Sequence, residues 1–338
     1  MTNSTDPYEL EQQAVERIRD SRDSIDAELS KVIIGQKDVI QELLICLFAG
    51  GHCLITGAPG LAKTLMVRSM AEIFHLRFQR IQFTPDLMPA DITGTEILEE
   101  TAGGHRQMQF VKGPIFANVV LADEINRTPP KTQAALLEAM QEHQVTAAGV
   151  RYSLEEPFFV LATQNPIEME GTYPLPEAQL DRFMFKILVG SPTLENLGVI
   201  LDRTTGAETP QPGKVVEREQ LLAMRDLVRE VPVAEHVKDY IGRVVLATHP
   251  QGEIEVADAQ RYIRYGASPR AAQAIILASK VGALRQGRYN VAFSDVRRAA
   301  SPALRHRIIL NFEGEAEGIA PDRLVEQILQ AVPETAPV

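Results

Sequence analysis

The sequence predicts an α/β fold in which a parallel sheet packs between helices and is followed by a smaller, all-helical domain. Three short apolar runs, residues 53–55, 119–122 and 158–162, have the length and composition of strands buried on both faces. Segments with helical spacing of their apolar residues separate these runs, which is the order of elements typical of parallel sheets. Beyond residue 216 the spacing of apolar residues is helical almost throughout.

Changes in composition divide the 338 residues into segments. A polar stretch that contains two Pro and two Gly is the predicted boundary between the two domains. Alternating runs within residues 95–111 and 145–154 predict two β-hairpins inserted in the first domain. The predicted segments are an N-terminal helical part (1–30), the α/β core with its hairpins (31–203), a linker (204–213), the helical domain (214–332) and a tail (333–338).

The feature that organises the chain is a loop between the first apolar run and a helical pattern. Backbone N–H groups in such a loop, together with the positive end of the following helix, form a concave site for a di- or triphosphate. Lys63 is then placed to reach the β- and γ-phosphates, and the Thr64 hydroxyl to ligate Mg²⁺. The residues of the loop are Gly57, Ala58, Pro59, Gly60, Leu61, Ala62, Lys63 and Thr64.

Ala62 occupies the position where the phosphate-loop pattern GxxxxGK[ST] has its second glycine. A methyl group is tolerated there if φ is negative, whereas a positive φ would cost roughly 1–2 kcal/mol. The alternative interpretation is a Gly/Pro turn between a strand and a helix, with an incidental lysine.

An apolar stretch that ends at Gly35 and Gln36 precedes the helix and strand that lead into the loop. Such a stretch can line a pocket for adenine, and we include Gly35 and Gln36 among the candidate nucleotide-binding residues. Ordinary core packing is an equally good interpretation.

Two adjacent carboxylates follow the second apolar run, where a central parallel strand meets a ligand crevice. Phosphoryl transfer assisted by a metal needs one carboxylate near Mg²⁺ and another that orients and deprotonates water. We assign Asp123 to Mg²⁺ and Glu124 to the water. The alternative is a polar strand end that caps the next helix.

Two further positions, Asn165 and Arg270, are candidates for contacts with phosphate or with the attacking water. Asn165 follows the third apolar run, at the same predicted sheet edge, although a turn residue before Pro166 is an equal alternative. Arg182 lies just before the next predicted strand. Ser268 and Pro269 suit the N-cap and first position of a helix, which leaves Arg270 on a first turn where a cation is unfavourable. That mismatch suggests an external anion, and an ordinary surface arginine is the alternative.

The bulk composition excludes several classes of function. A formal net charge of −11 disfavours a surface devoted to nucleic acid or to anionic membrane. The two cysteines, Cys46 and Cys53, are expected to be small buried residues rather than a disulfide. The first residues do not resemble a secretion leader, and no stretch approaches the ~18 apolar residues that span a bilayer. We therefore expect a cytoplasmic protein without membrane insertion.

The ordered set of these motifs resembles the AAA+ ATPases and, within them, the MoxR family. An alanine at position 62 is usual in that family. The resemblance covers most of residues 30–310 and rests on residues 57–64, 113–118, 123–127, 162–166 and 180–183.

This resemblance implies an AAA+ P-loop NTPase with an αβα core and a lid, which hydrolyses ATP with Mg²⁺. Lys63 and Thr64 match the Walker A motif, and Asp123 and Glu124 match Walker B. Asn165 matches sensor 1.

The resemblance also implies an assembly. Arg270 matches sensor 2 of the lid, and Arg182 matches the arginine finger that family members insert into the site of a neighbouring subunit. A homo-oligomer, commonly a hexameric ring, is therefore expected, with the two hairpins resembling insertions that face a central pore. The expected partners are protein clients, remodelled or matured as by a chaperone, and a von Willebrand factor A domain protein.

Two rival functions remain open from the sequence. Minichromosome-maintenance helicases are ring ATPases with similar hairpins, so a nucleic-acid motor is one rival, disfavoured by the acidic charge. The other is a nucleotide-gated switch with little turnover, and Glu124 and Arg182 both argue against it.

Overall fold

The computed structural model describes residues 21–100, 106–147, 149–165, 171–206 and 210–335. A helix α1 runs through residue 32 and is described from residue 21. The helices of the first domain are α2 (Lys37–Ala49), α3 (Lys63–Ile73), α4 (Pro89–Thr93), α5 (Pro130–Glu142), α6 (Glu177–Leu180) and α7 (Leu194–Thr205). Those that follow are α8 (Arg218–Glu230), α9 (Glu235–Leu246), α10 (Ala257–Tyr262), α11 (Pro269–Arg285), α12 (Phe293–Leu304), α13 (Phe312–Ala316) and α14 (Pro321–Ala331).

The central sheet is parallel and has the strand order β2-β5-β8-β1-β9 in the described residues. Its strands are β1 (Cys53–Thr56), β2 (Phe78–Gln82), β5 (Val119–Asp123), β8 (Phe159–Gln164) and β9 (Phe185–Leu188). The three apolar runs recognised in the sequence form β1, β5 and β8, which lie side by side. The predicted parallel sheet is confirmed.

Both faces of the sheet are covered, which explains why its strands are continuously apolar. Alternate side chains enter different cores: Leu121 and Leu161 face one cluster, and Val120 and Val160 the other. The first core also contains side chains of α2 and α3, such as Leu47 and those of the α3 methionines. The second contains Leu136 and its neighbours on α5. The sheet edge that carries the site therefore rests on a rigid three-layer base.

The two predicted hairpins are confirmed. The first pairs β3 (Gly94–Glu100) with β4 (Arg106–Lys112), and the second pairs β6 (Gln144–Ala147) with β7 (Val150–Ser153), both antiparallel. Phe110 of the first hairpin stacks on Tyr152 of the second, with ring centroids 4.3 Å apart. Phe116 meets both rings edge-on. The hairpins are thus joined by an aromatic contact.

The C-terminal domain is helical, with one addition. The strands β10 (Ile263–Tyr265) and β11 (Ile309–Leu310) form a short antiparallel pair, so "all-helical" was too simple for this part. α12 ends at Leu304, and β11 in the segment after it pairs with β10. Pairing with a distant strand is decided by tertiary contacts rather than by local pattern.

One apolar core joins this domain to the sheet. Buried side chains of α8, α9, α11, α12 and α14 belong to the same cluster as those on one face of β1, β8 and β9. α11 packs directly against α2. The predicted linker begins within α7, which extends to Thr205. The segmentation of the chain into domains stays a prediction, and residues 1–20, 207–209 and 336–338 lie outside the described residues.

Candidate nucleotide-binding site

The loop of residues 57–64 connects β1 to the first turn of α3. A Cβ added at Gly57 would lie 2.8 Å from the backbone oxygen of Val189, so only glycine lets the loop pass this close to the end of β9. Gly60 has a φ of 81°, which glycine adopts without strain. Lys63 and Thr64 begin α3, so the free N–H groups and the positive end of this helix face the loop.

The sequence left a negative and a positive φ open for Ala62, and the structure shows the positive, strained one. Its φ of 56° and ψ of 22° lie in the left-handed region, which costs a residue with a Cβ about 1–2 kcal/mol. Backbone strain of this kind persists where the surroundings enforce it, and it concentrates at functional sites.

Lys63 lies inside the loop. Its Nζ donates to the backbone oxygens of Gly57, at 2.6 Å, and Ala58, at 3.3 Å. Burial lowers the pKa of the Lys63 ammonium, while the carboxylates of Asp123 and Glu124 oppose that shift. The lysine is therefore held by carbonyl dipoles beside two negative charges.

The structure brings the predicted phosphate, metal and water residues to one crevice at the carboxyl end of the sheet. Its cavity of about 440 Å³ is lined by Lys63, Thr64, Asp123, Glu124 and Asn165, among others. β1, β5 and β8 are neighbours in the sheet, and the carboxyl ends of parallel strands meet at the same edge. The sequence alone indicated this gathering because each motif follows an apolar run.

Asp123 is held on both sides. The Thr163 hydroxyl donates to its Oδ1 at 2.6 Å. Arg80 donates from Nε, at 3.0 Å, and from Nη2, at 2.6 Å, to its Oδ2. The carboxylate consequently has a fixed orientation and a cation beside it.

Glu124 has a φ of 58°, a second left-handed residue at this edge. Its backbone N–H donates to the Thr163 hydroxyl at 2.8 Å. Its Oε2 accepts from Gln82 Nε2, at 3.0 Å, and from Arg127 Nη1, at 3.1 Å. The left-handed turn and these donors place the carboxylate in the crevice.

Sequence reasoning missed Arg80, Gln82 and Thr163. Arg80 and Gln82 are two residues apart on β2 and so point to the same face. The register pairs Gln82 with Asp123. The signal was present as alternating polar residues in the segment that forms β2, but the sequence does not reveal that β2 lies next to β5.

A second cavity, of about 290 Å³, adjoins the loop. It is lined by Ile34 and Gln36 together with Ile200 of α7, and it shares Leu61 and Ala62 with the crevice. Gln36 donates from Nε2 to the backbone oxygen of Gly190 at 3.0 Å. This mainly apolar cavity has the character expected of a base pocket.

Gly35 lies against α7, the helix that contributes Ile200 to this cavity. Its φ is 76°, and an added Cβ would lie 2.2 Å from Asn196 Nδ2, so a side chain here would collide with α7. Gly35 is not among the residues that line the cavity, and any role in nucleotide binding would be indirect.

Arg182 and Arg270 lie elsewhere. Both line a separate cavity of about 220 Å³, and neither lines the crevice. Arg182 donates from Nη1 to the backbone oxygen of Leu137 at 3.1 Å, while its buried Nε has no hydrogen-bond partner among the residues that the structure describes. The predicted N-cap is confirmed: the Ser268 hydroxyl accepts from the Arg270 N–H at 3.2 Å. The structure thus separates these two cations from the phosphate loop of their own chain.

The crevice fits a triphosphate with Mg²⁺. The Thr64 hydroxyl and the Asp123 carboxylate contribute oxygens to one cavity, together with the Lys63 ammonium. Mg²⁺ at phosphate sites is held by few protein oxygens and by the phosphates themselves. In the described residues, no group of three or more His, Cys, Asp or Glu has the arrangement of a metal site.

Comparison with known proteins identifies the family. Residues 52–185 match the model of the "ATPase family associated with various cellular activities (AAA)", and residues 256–328 match an AAA lid domain. The chain is 42% identical over 305 residues to "Chaperone MoxR1" of Mycobacterium tuberculosis, which covers 90% of this chain and 80% of that protein. The chain belongs to the MoxR family of AAA+ ATPases.

Other relatives agree with the MoxR assignment. A "Protein MoxR" of Paracoccus denitrificans is 31% identical over 341 residues, which cover 95% of this chain and 97% of that protein. A crystal structure of a candidate ATPase from Cytophaga hutchinsonii is 43% identical, has a TM-score of 0.88, and covers 95% of this chain and 97% of that one. The predicted AAA+ core and lid and the ATPase class are therefore confirmed for this MoxR protein.

Membership of this ATPase family implies nucleotide binding. Among the described residues, the MoxR protein has no helix that is both long and apolar enough to cross a membrane.

Proposed function

We propose that this ATPase hydrolyses ATP to ADP and phosphate in order to remodel or mature partner proteins, including the insertion of metal cofactors. The observation that supports the proposal most strongly is the single crevice that contains Lys63, Thr64, Asp123, Glu124 and Asn165. The chaperone name of its Mycobacterium tuberculosis relative favours protein clients.

The chemistry assigns each residue a role at the crevice. Lys63 and the loop N–H groups would bind the phosphates, and Thr64 and Asp123 would hold Mg²⁺, which would neutralise charge on the phosphates. Glu124 orients the attacking water and accepts its proton. Asn165 polarises that water or contacts the γ-phosphate.

We further propose that hydrolysis requires a neighbouring subunit. Arg182 and Arg270 line a cavity apart from their own phosphate loop, so both are assigned to the nucleotide of the adjoining protomer in a hexameric ring. For Arg270 this changes the expectation from the sequence, in which the lid contact was not assigned to a particular subunit.

The hairpins are the proposed client-contacting surface. Ile97, Leu98 and Met108 are apolar and exposed on the first hairpin, which the Phe110 and Tyr152 rings join to the second. A pore-facing position for both hairpins and a von Willebrand factor A domain partner complete the proposal.

Phosphate release and client capture test this function. Steady ATP hydrolysis by the wild-type protein, lost in Glu124→Gln, is expected. The same variant, held with ATP, should retain a protein client that Lys63→Ala does not retain. Stimulation of hydrolysis by DNA or RNA that falls steeply with salt would instead support the nucleic-acid motor, and equal phosphate release by wild type and Glu124→Gln would support the nucleotide-gated switch.

A further inference from the structure

Asp181 connects the two arginines that are assigned to the nucleotide of the adjoining protomer. It follows α6 and immediately precedes Arg182 in the chain. It accepts from the Ser268 hydroxyl at 2.8 Å and 2.9 Å, and its Oδ2 lies 3.9 Å from Arg270 Nη1. One side chain of the core thereby contacts the N-terminus of the lid helix α11.

Arg307, whose side chain is only 3% exposed, also binds the Asp181 carboxylate. Arg307 donates from Nε to Asp181 Oδ1 at 2.8 Å and from Nη2 to the Asp181 backbone oxygen at 3.0 Å. It also donates to the backbone oxygens of Phe183, at 2.7 Å, and Met184, at 3.1 Å. A buried guanidinium thus fixes both the side chain and the backbone on either side of Arg182.

The residues before Arg307 extend this attachment. His306, with its ring proton on Nε2, donates to the Phe183 backbone oxygen at 2.9 Å, and burial lowers the pKa of His306 well below its usual value, so the ring is neutral. Arg305 donates from Nη1 to the Lys186 backbone oxygen at 2.9 Å. Three consecutive residues that follow α12 therefore attach the segment containing Arg182 to the lid.

We propose that Asp181 is a positioning residue that holds Arg182 and Arg270 at a fixed spacing, so that both reach the nucleotide of the adjoining protomer as one unit. This inference rests on the function proposed above. Arg182, Arg270 and Arg307 line one small cavity, where like charges would otherwise move apart. The Asp181 carboxylate faces Arg270 and Arg307 and offsets the repulsion between these two cations.

The effect expected from losing this carboxylate is kinetic. Displacing a catalytic group by about 1 Å lowers a rate about 10²-fold. In Asp181→Asn, one oxygen can still accept from Arg307, but the negative charge beside Arg270 is gone. We expect kcat for ATP hydrolysis to fall about 10- to 100-fold, with unchanged KM, since the subunit's own crevice is intact.

The test uses mixed assemblies of the full chain. Mixed with Glu124→Gln subunits, which supply an intact arginine pair, Asp181→Asn subunits should recover part of their phosphate release. Mixed with Arg182→Ala subunits, they should not. Asp322→Asn is the matched control, because Asp322 accepts from Arg305 at 2.9 Å in the same attachment but does not line the arginine cavity. The kcat of this variant should stay within about twofold of the wild-type value, because the positions of Arg182 and Arg270 do not depend on it.

A second pair of variants guards against misfolding of Asp181→Asn. Ser268→Ala removes the lid-side link together with the N-cap contact to the Arg270 N–H and should lower kcat, while Ser268→Thr keeps a hydroxyl for both contacts and should restore it. A wild-type kcat for both Asp181→Asn and Ser268→Ala, in a protein whose Arg182→Ala variant is inactive, overturns the positioning role and leaves the proposed function standing. Loss without recovery in the Glu124→Gln mixture also overturns it, while full activity of Arg182→Ala overturns the proposed function itself.

Discussion

The crevice at the phosphate loop and the cavity around Arg182 contain the same kinds of charged group but balance them differently. In the crevice, the cations Lys63 and Arg80 face the carboxylates of Asp123 and Glu124. In the described residues that line the other cavity, four arginines face one carboxylate, that of Asp181. The described residues that line the arginine cavity therefore carry an excess of positive charge.

This difference indicates how the protomer divides its chemistry. The groups proposed to bind phosphate, to hold Mg²⁺ and to act as a base lie together in the crevice, so the crevice is expected to bind nucleotide without a second subunit. The arginine cavity has cations but no phosphate-binding loop. Each protomer is expected to bind one nucleotide and to activate a different one.

Among the variants that test the difference between the crevice and the arginine cavity, Arg182→Ala has the largest expected effect. We expect kcat for ATP hydrolysis to fall by ~10³–10⁵, the range for arginine fingers, with ATP affinity unchanged because the crevice is untouched. Phosphate-release assays and nucleotide-binding titrations measure both. Mixing with Glu124→Gln subunits should restore part of the rate, and an intact assembly without such recovery would contradict a division between protomers.

The next effect concerns acid sensitivity, which we expect in the arginine cavity. His52 lines it, and burial lowers the pKa of His52 to about 4. The unfolded chain has a pKa near 6.5 at this residue, so it binds more protons between pH 6.5 and 4. As the pH falls from 6.5 to 4, His52 alone should therefore lower the unfolding free energy by about 3 kcal/mol.

The matched variant is His52→Gln, which keeps one donor and one acceptor but does not titrate. The native ring accepts from the Val160 N–H and donates to the Met140 backbone oxygen. Denaturant unfolding at pH 7 and pH 4.5 should show a smaller loss in the variant. The same loss in both proteins would place the acid-sensitive group elsewhere.

A smaller effect is expected in the crevice for Lys63→Ala. The variant loses a charge-assisted contact to phosphate, worth about 1.5–3 kcal/mol, so ATP should bind about 10- to 100-fold more weakly. Calorimetric or fluorescence titration measures this affinity. In contrast to Arg182→Ala, mixing with Glu124→Gln subunits should not restore hydrolysis by the Lys63→Ala subunits; recovery there would remove the distinction between the two sites.

The smallest effect concerns the strained backbone of the crevice. Ala62→Gly should raise the unfolding free energy by about 0.5–1 kcal/mol, because release of left-handed strain exceeds what glycine's extra freedom costs in the unfolded chain. Ala58→Gly, at a loop position outside the left-handed region, should lower stability slightly. Thermal unfolding compares the two, and equal losses would mean that Ala62 is not strained.

The part of the site that sequence predicted is the part formed by local motifs. A loop, a carboxylate pair and an amide, each after an apolar run, must meet where parallel strands end, so Lys63, Asp123 and Asn165 were placed together correctly. The same logic applies to the hairpins, since alternation is a local pattern. These features needed no knowledge of which strands are neighbours.

The parts that sequence did not predict depend on contacts between distant segments. Arg80 reaches Asp123 only because β2 is the neighbour of β5 in the sheet. The end of α12 at Leu304 depends on pairing between β10 and β11. Asp181 and Arg307 are 126 residues apart, and no spacing rule relates them. The sign of φ at Ala62 also depended on the surrounding structure.

The shared apolar interior of sheet and lid has a mechanical consequence. Side chains of both regions pack together in one hydrophobic core. Separating the lid from the sheet would therefore create a cavity and expose apolar surface to water. Core and lid are therefore expected to move as one rigid body rather than to rotate about a hinge between them. Movements driven by hydrolysis are accordingly expected between the copies of the proposed ring rather than between core and lid.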